Sequence, residues 1–194
     1  MALFYYLISS LPTLFIDEAP ILNSDDFLGS CEDSLSANDF SELRNIQLVP
    51  PKDYSFFSNK EIIAWYDWDT CLRNSIARIR SANVSFEHLD SDRPENDFFS
   101  EISKGVQDAM SRTSPLDKEE VLDNLRWNKL SDLEVGHNFD FSILCIYRLK
   151  LLLCEKRVHW DKVKGNSNFE KIIDSIYGAW TPDNGNNKSV SLSD

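Results

Sequence analysis

The most regular pattern in the chain lies between residues 58 and 80, where Trp65, Trp68, Leu72, Ile76 and Ile79 recur at steps of three and four. Side chains so spaced share one face of an α-helix, and the spacing predicts a helix of roughly five turns. Ser58-Asn59-Lys60-Glu61 has the form of a capping box, in which the serine and the glutamate each satisfy a free backbone N–H at the helix start. Asp69 and Arg73 stand at i, i+4 in the acid-first order that supports a helix. Arg78 and Arg80 lie near the end where cations suit the helix dipole.

Similar stripes follow. Asp92-Arg93-Pro94-Glu95 predicts a cap with proline just inside the next helix, whose apolar face is Phe98, Phe99, Ile102, Val106, Ala109 and Met110. Ser114-Pro115-Leu116-Asp117 opens another on the same logic, carrying Leu122, Leu125, Trp127, Leu130 and Leu133. The phase of that stripe shifts near Trp127-Asn128, which predicts a bend or break before an end near Gly136. Asp140 is placed to cap a long helix through about His159, and Asn166 or Ser167 a last one with Phe169, Ile172, Ile173, Ile176, Tyr177 and Trp180 in register.

Upstream, Ser24 followed by Asp25 and Asp26 predicts the start of a short helix bearing Phe27, Leu28, Cys31 and Leu35. A second short helix is expected from about Asn38 to Ile46, before Pro50-Pro51 forces the chain into an extended turn. The aromatic run from Leu3 to Ile8 is too short for periodicity to separate strand from helix. Residues 83–93 read as a polar loop. No alternating β runs with hairpin dipeptides and no fixed repeat are visible. The expected fold is therefore all-α: an irregular multi-helix bundle in one domain over residues 1–180, with a hinge near 47–57 and a polar, disordered tail at 181–194.

Composition narrows the function classes. A hydrophobic share of 42% over 194 residues suffices for a sizeable core. The net charge of −12 repels phosphate backbones and anionic lipid, so neither nucleic acid nor a membrane surface is an expected partner. Residues 1–60 hold nine acids against three bases, whereas residues 113–160 hold eight against seven, so the acidity is concentrated towards the N-terminus. Such a surface either attracts a basic partner or simply stays solvated. Met1 to Leu14 lacks a basic leader and is interrupted by Pro12. The apolar run Ile143 to Cys154 contains Arg148 and Lys150. Neither is expected to insert directly into a membrane.

The four cysteines, Cys31, Cys71, Cys145 and Cys154, form no C-x-x-C pair and no Cys/His cluster, which reads as buried free thiols in a reducing cytoplasm. Six glycines include neither phosphate-binding loop, and His88, His137 and His159 lack a metal-ligating pairing. No catalytic, cofactor-binding or metal-binding residue is assigned, and an enzyme is not expected. A pocket grouping Cys154, His159 and a carboxylate would raise that reading. Trp65 and Trp68 are in phase with the core stripe. Tyr66 and Trp160 fall off the stripes and are the candidate interface aromatics.

Several residues also form an ordered pattern: Tyr5-Tyr6-Leu7-Ile8-Ser9-Ser10-Leu11-Pro12 with Leu14, Pro20, Phe27 and Cys31, then Leu72-Arg73-Asn74 with Arg78 and Arg80. It continues through Ser114-Pro115-Leu116-Asp117-Lys118-Glu119-Glu120, Leu122-Asp123, Arg126-Trp127, Phe139-Asp140 and Ile146-Tyr147-Arg148-Leu149-Lys150-Leu151, and ends with Gly165 and Phe169. The pattern resembles a bacterial family of unassigned function encoded beside V-type (A/V-type) ATPase subunits and treated as similar to the collar (C-type) subunit of those machines. That collar is an all-helical, non-catalytic piece between the central stalk and the membrane rotor ring. The resemblance therefore implies a non-catalytic subunit or accessory factor, in the cytoplasm and peripheral to a membrane-bound ATPase, with stalk or rotor subunits as partners. The chain is too short for the three helical repeats of the collar, and the resemblance transfers no binding residue. Arg73, Asn74, Arg126, Trp127, Tyr147 and Lys150 carry the family pattern, as partner contacts or as polar groups tying helices together. The alternative is an acidic helical protein–protein adaptor unrelated to the ATPase.

Overall fold

Every regular element among the described residues is helical, so the fold is all-α, as expected. The structure, a computed structural model, describes residues 4–83, 99–158, 171–173 and 175. Its helices are α1 Tyr5–Ser10, α2 Ser24–Glu32, α3 Ala37–Arg44, α4 Lys60–Asn83, α5 Ser100–Ser111, α6 Pro115–Glu134 and α7 Phe141–Val158. The chain divides into two units, Met1–Val158 and His159–Asp194. In the second, residues 171–173 and 175 are helical, and the Ser175 hydroxyl donates to the Ile172 carbonyl at 2.8 Å. Of the loop expected at 83–93, Asn83 instead ends α4 and the rest lies outside the described residues, as do the caps expected at Asp92-Arg93-Pro94-Glu95 and at Asn166 or Ser167, the tail expected at 181–194, and His88, His159 and Trp160.

The core is organised around α7. Ile143, Leu144, Cys145, Ile146, Leu149, Leu151, Leu153 and Cys154 are all buried, so the helix is hydrophobic on every side instead of along one stripe. That is the signature of a central helix. Helices α2, α3, α4 and α6 all pack on it. The predicted stripe of α4 is buried through Trp65, Trp68, Leu72 and Ile76, with the two indoles stacked at 5.7 Å. Helix α5 presents Ile102, Val106 and Ala109 to the same core and lies against α6 so closely that a β-carbon on Gly105 would meet Leu125 Cδ1 at 2.5 Å. Among the described residues no helix is long and apolar enough to cross a membrane.

The helix starts differ in detail from the sequence expectations. Asn23, not Ser24, caps α2, accepting the N–H groups of Asp25 and Asp26. The Ser58–Glu61 capping box does not form. Asn59 Oδ1 accepts the N–H groups of Glu61 and Ile62 instead, while the Ser58 backbone N–H and hydroxyl both donate to Glu42. The buried Glu42 carboxylate fastens the residues just ahead of the helix, accepting the Ser58 and Asn59 N–H groups at 2.9 and 2.7 Å, while Asn59 supplies the local cap. Helix α5 starts at Ser100, and Phe99 stands outside it in extended conformation. Helix α6 runs unbroken through Trp127-Asn128 to Glu134, then turns at Gly136 with φ +92°. Its phase shift reflects burial on more than one side, not a break: Leu122 and Leu130 face the core, and Asp123 and Arg126 are buried with them. Ser114 and Asp140 cap as expected, accepting Leu116 N–H and Ile143 N–H.

The aromatic N-terminal run is helical, forming α1. It has no buried residue and is held by Phe4 N–H donating to the Phe139 carbonyl at 2.9 Å and by ring contact between Tyr5 and Phe139 at 4.5 Å. The stretch expected as a hinge lies fastened along α4. Tyr66 Oη accepts Gln47 N–H and donates to its carbonyl, Tyr54 donates to Asp67, and Phe57 is buried.

Candidate functional site

The densest polar cluster joins the three longest helices. Asp69 of α4, next to the apolar stripe, is completely buried. It accepts Arg73 Nε–H from the next turn at 2.5 Å and Arg126 Nε–H from α6 at 2.9 Å. Arg126 reaches back one turn to Asp123 through Nη1 at 2.8 Å, and Lys156 of α7 meets the same Asp123 oxygen at 2.8 Å and Glu119 at 3.3 Å. Three carboxylates and three cations thus form one chain of contacts from α4 through α6 to α7. Burial opposes the charge on Arg126, but Asp69 and Asp123 outweigh it and hold its pKa above the ordinary value for arginine. The cluster neutralises itself, so what it does is lock the relative positions of three helices, since an unpaired member would be costly.

A second brace lies further along α7. Lys150 is buried, pairs with Glu134 of α6 and stands 5.1 Å over the ring of Trp127, which is half-buried. One turn away, the Tyr147 hydroxyl donates to the Pro12 carbonyl at 2.9 Å and its ring lies 5.2 Å from Phe27. Arg148 Nη1 donates to the Ser24 carbonyl at 3.2 Å, while Glu155 accepts both the N–H and the hydroxyl of Ser24. Arg157 pairs with Asp17 at 3.0 Å. The acidic N-terminal segment is therefore stitched to α7 by polar and charged side chains of that helix.

Of the residues singled out in sequence, Arg73 and Arg126 belong to the first brace, with Asn74 buried beside Arg73 on α4. Trp127 and Lys150 form the second, and Tyr147 anchors the N-terminal segment. Tyr66 is not the interface aromatic its off-stripe position suggested. It is fully buried against Tyr54 and Phe57, because the 47–57 stretch covers the face of α4 on which it sits, and burial pushes its hydroxyl up to about 12. Trp160 lies outside the described residues. Missed in sequence were Lys156, Glu134 and Glu42, whose partners lie 16 to 37 residues away. Asp123 was open to detection, because it stands at i, i+3 to Arg126.

All four cysteines are free and buried. Burial raises Cys31 and Cys154 to about 11 and Cys145 well above 9.0, so these thiols stay protonated at neutral pH. Cys154 Sγ lies 3.4 Å from the Phe15 carbonyl; its supposed partner His159 is outside the described residues. Among the described residues, no group of three or more His, Cys, Asp or Glu side chains is placed to hold a metal ion.

Residues 95–178 match the family described as "Protein of unknown function (DUF2764)", a stretch that takes in α5, α6 and α7. No curated protein and no solved structure matches the chain.

Proposed function

We propose that the chain is a non-catalytic subunit or accessory factor of a V-type ATPase or ATP synthase, a collar-like part that works by protein–protein contact between central stalk and membrane rotor. Its place would be the cytoplasmic side, peripheral to the membrane-bound complex. The reading starts from the sequence resemblance, and the observation that carries it furthest is the buried Asp69–Arg126–Asp123–Lys156 brace, in which Arg126 and Asp123 belong to that pattern. A part that transmits torque must resist shear between its helices, and close-packed interiors with paired buried charge do so. The test is purification of the tagged protein from its native cell: ATPase subunits should co-purify at stoichiometric yield.

The adaptor reading draws on the N-terminal acids, of which Asp17, Glu18, Asp25, Asp26, Glu32 and Asp33 are exposed. An exposed anionic surface suits a basic partner. Reproducible recovery of a basic partner without any ATPase subunit would favour it over the first reading.

A further inference from the structure

His137 lies in the turn between α6 and α7, and both of its ring nitrogens face carboxylates. Nδ1 is 2.6 Å from Asp140 Oδ2 and Nε2 is 3.2 Å from Glu61 Oε1. An ionised carboxylate only accepts hydrogen bonds, and a neutral imidazole has a single N–H, so only the imidazolium satisfies both contacts. The two acids belong to different parts of the bundle. Asp140 caps α7 through its other oxygen, and Glu61 sits in the first turn of α4.

The same turn seats the N-terminal helix. The Phe139 carbonyl accepts Phe4 N–H at 2.9 Å, and the Phe139 ring contacts Tyr5 at 4.5 Å. Because α1 is six residues long with no buried side chain, it belongs to the low-stability end of the fold. We propose that His137 is a proton-operated clamp: as imidazolium it ties the α6–α7 turn to the start of α4 and seats α1 on Phe139, and on losing its proton it loosens both.

The surrounding charges favour the charged form. From α4, Glu61 faces the ring, with Lys60 Nζ 3.8 Å from the same Glu61 oxygen; from the start of α7 comes Asp140. Glu134 of α6 is engaged by Lys150, and Glu42 of α3 by Ser58 and Asn59. Helix α1 carries no charged side chain. The Asp140 hydrogen bond leads, burial opposes it and Glu61 adds to it, so the His137 pKa stands above the ordinary 6.5. A histidine raised in the folded state stabilises fully below its unfolded value of 6.5 and loses that contribution as pH rises through the folded value. The clamp is closed on the acid side and opens on the alkaline side.

The full chain, titrated by NMR from about pH 5.5 to about pH 9, tests this. The histidine signal missing from His137→Gln identifies the residue. We expect its midpoint above 6.5, the Tyr5 ring protons shifting with the same midpoint, and that Tyr5 shift absent in His137→Gln. Glu61→Gln, checked for folding by far-UV circular dichroism, should lower the midpoint and carry the Tyr5 shift down with it. A His137 midpoint at or below 6.5 overturns the proposal. So does a Tyr5 ring that stays unchanged through the His137 titration, or one that shifts identically in Glu61→Gln.

Discussion

Arg126 of α6 donates its Nε–H to Asp69 of α4 across 2.9 Å, with neither side chain more than 6% exposed. The contact spans 57 residues of sequence and is the only one of Arg126's two carboxylate pairs that joins separate helices. Its energetics follow from desolvation. A buried pair contributes little net stability compared with apolar side chains of the same size, but loss of one partner strands the other.

Arg126→Met should therefore destabilise the fold by about 1–3 kcal/mol, because Asp69 and Asp123 lose a shared hydrogen-bonding cation while keeping Arg73 and Lys156. Asp69→Leu combined with Arg126→Met should recover a substantial part of that loss. Urea unfolding of the two variants measures both. A double variant no more stable than the worse single one would count against the brace as described.

Glu42 of α3 fastens the chain just ahead of α4, whose local cap is Asn59. Glu42→Gln keeps the shape but loses the charge that accepts Ser58 N–H, Ser58 Oγ–H and Asn59 N–H. A loss of about 1–3 kcal/mol is expected, read as a lower denaturant midpoint. Ser58→Ala should cost about 1 kcal/mol or less, since only one of those bonds is removed.

At Gly105 two effects oppose each other. Alanine gains about 1 kcal/mol of helix propensity over glycine, but its β-carbon would stand 2.5 and 2.7 Å from the two Leu125 methyl carbons. Displacing Leu125 should cost about 1–3 kcal/mol, so Gly105→Ala is expected to be neutral to destabilising. With Leu125→Val the clash is relieved. A double-mutant cycle should show the pair losing less than the sum of the singles, and strict additivity would contradict the close approach.

The buried thiols set an alkaline limit. Cys31 and Cys154 rise from 9.0 unfolded to about 11 folded through burial, so the folded state disfavours their ionisation. Their contribution to stability is complete below pH 9.0 and is lost as pH climbs towards 11. Equilibrium unfolding followed across that window should show falling stability. At about pH 8 a thiol reagent should label none of the four cysteines in the native protein and all four in denaturant; rapid native labelling of Cys31, Cys145 or Cys154 would contradict their burial.

Tyr147→Phe removes the hydroxyl that holds Pro12 while leaving the ring on Phe27. The global cost should be about 0.5–1.5 kcal/mol. The local consequence should be larger: limited proteolysis is expected to cut residues 4–16 sooner than in the unaltered protein, with the cleavage pattern elsewhere unchanged.

Helix identity and the apolar faces were legible from the order of residues, because steps of three and four determine which side chains share a face before any partner is known. That reading located α4, α6 and α7 and the caps at Ser114 and Asp140, and it named Trp65, Trp68, Leu72 and Ile76 as core. It failed where a helix is surrounded. Asp69 and Tyr66 look solvent-facing beside a single stripe, yet α6 covers one and the 47–57 stretch covers the other. Periodicity describes a helix with one wet side, whereas α7 and the 62–76 stretch of α4 have almost none. Ser58 looked like a local cap because Glu42 lies 16 residues away and enters only once α3 has packed. Which charges pair, and which histidine nitrogen meets which acid, depends on helices brought together through space. Those contacts were decided by packing, since a buried charge takes whatever partner the fold sets beside it.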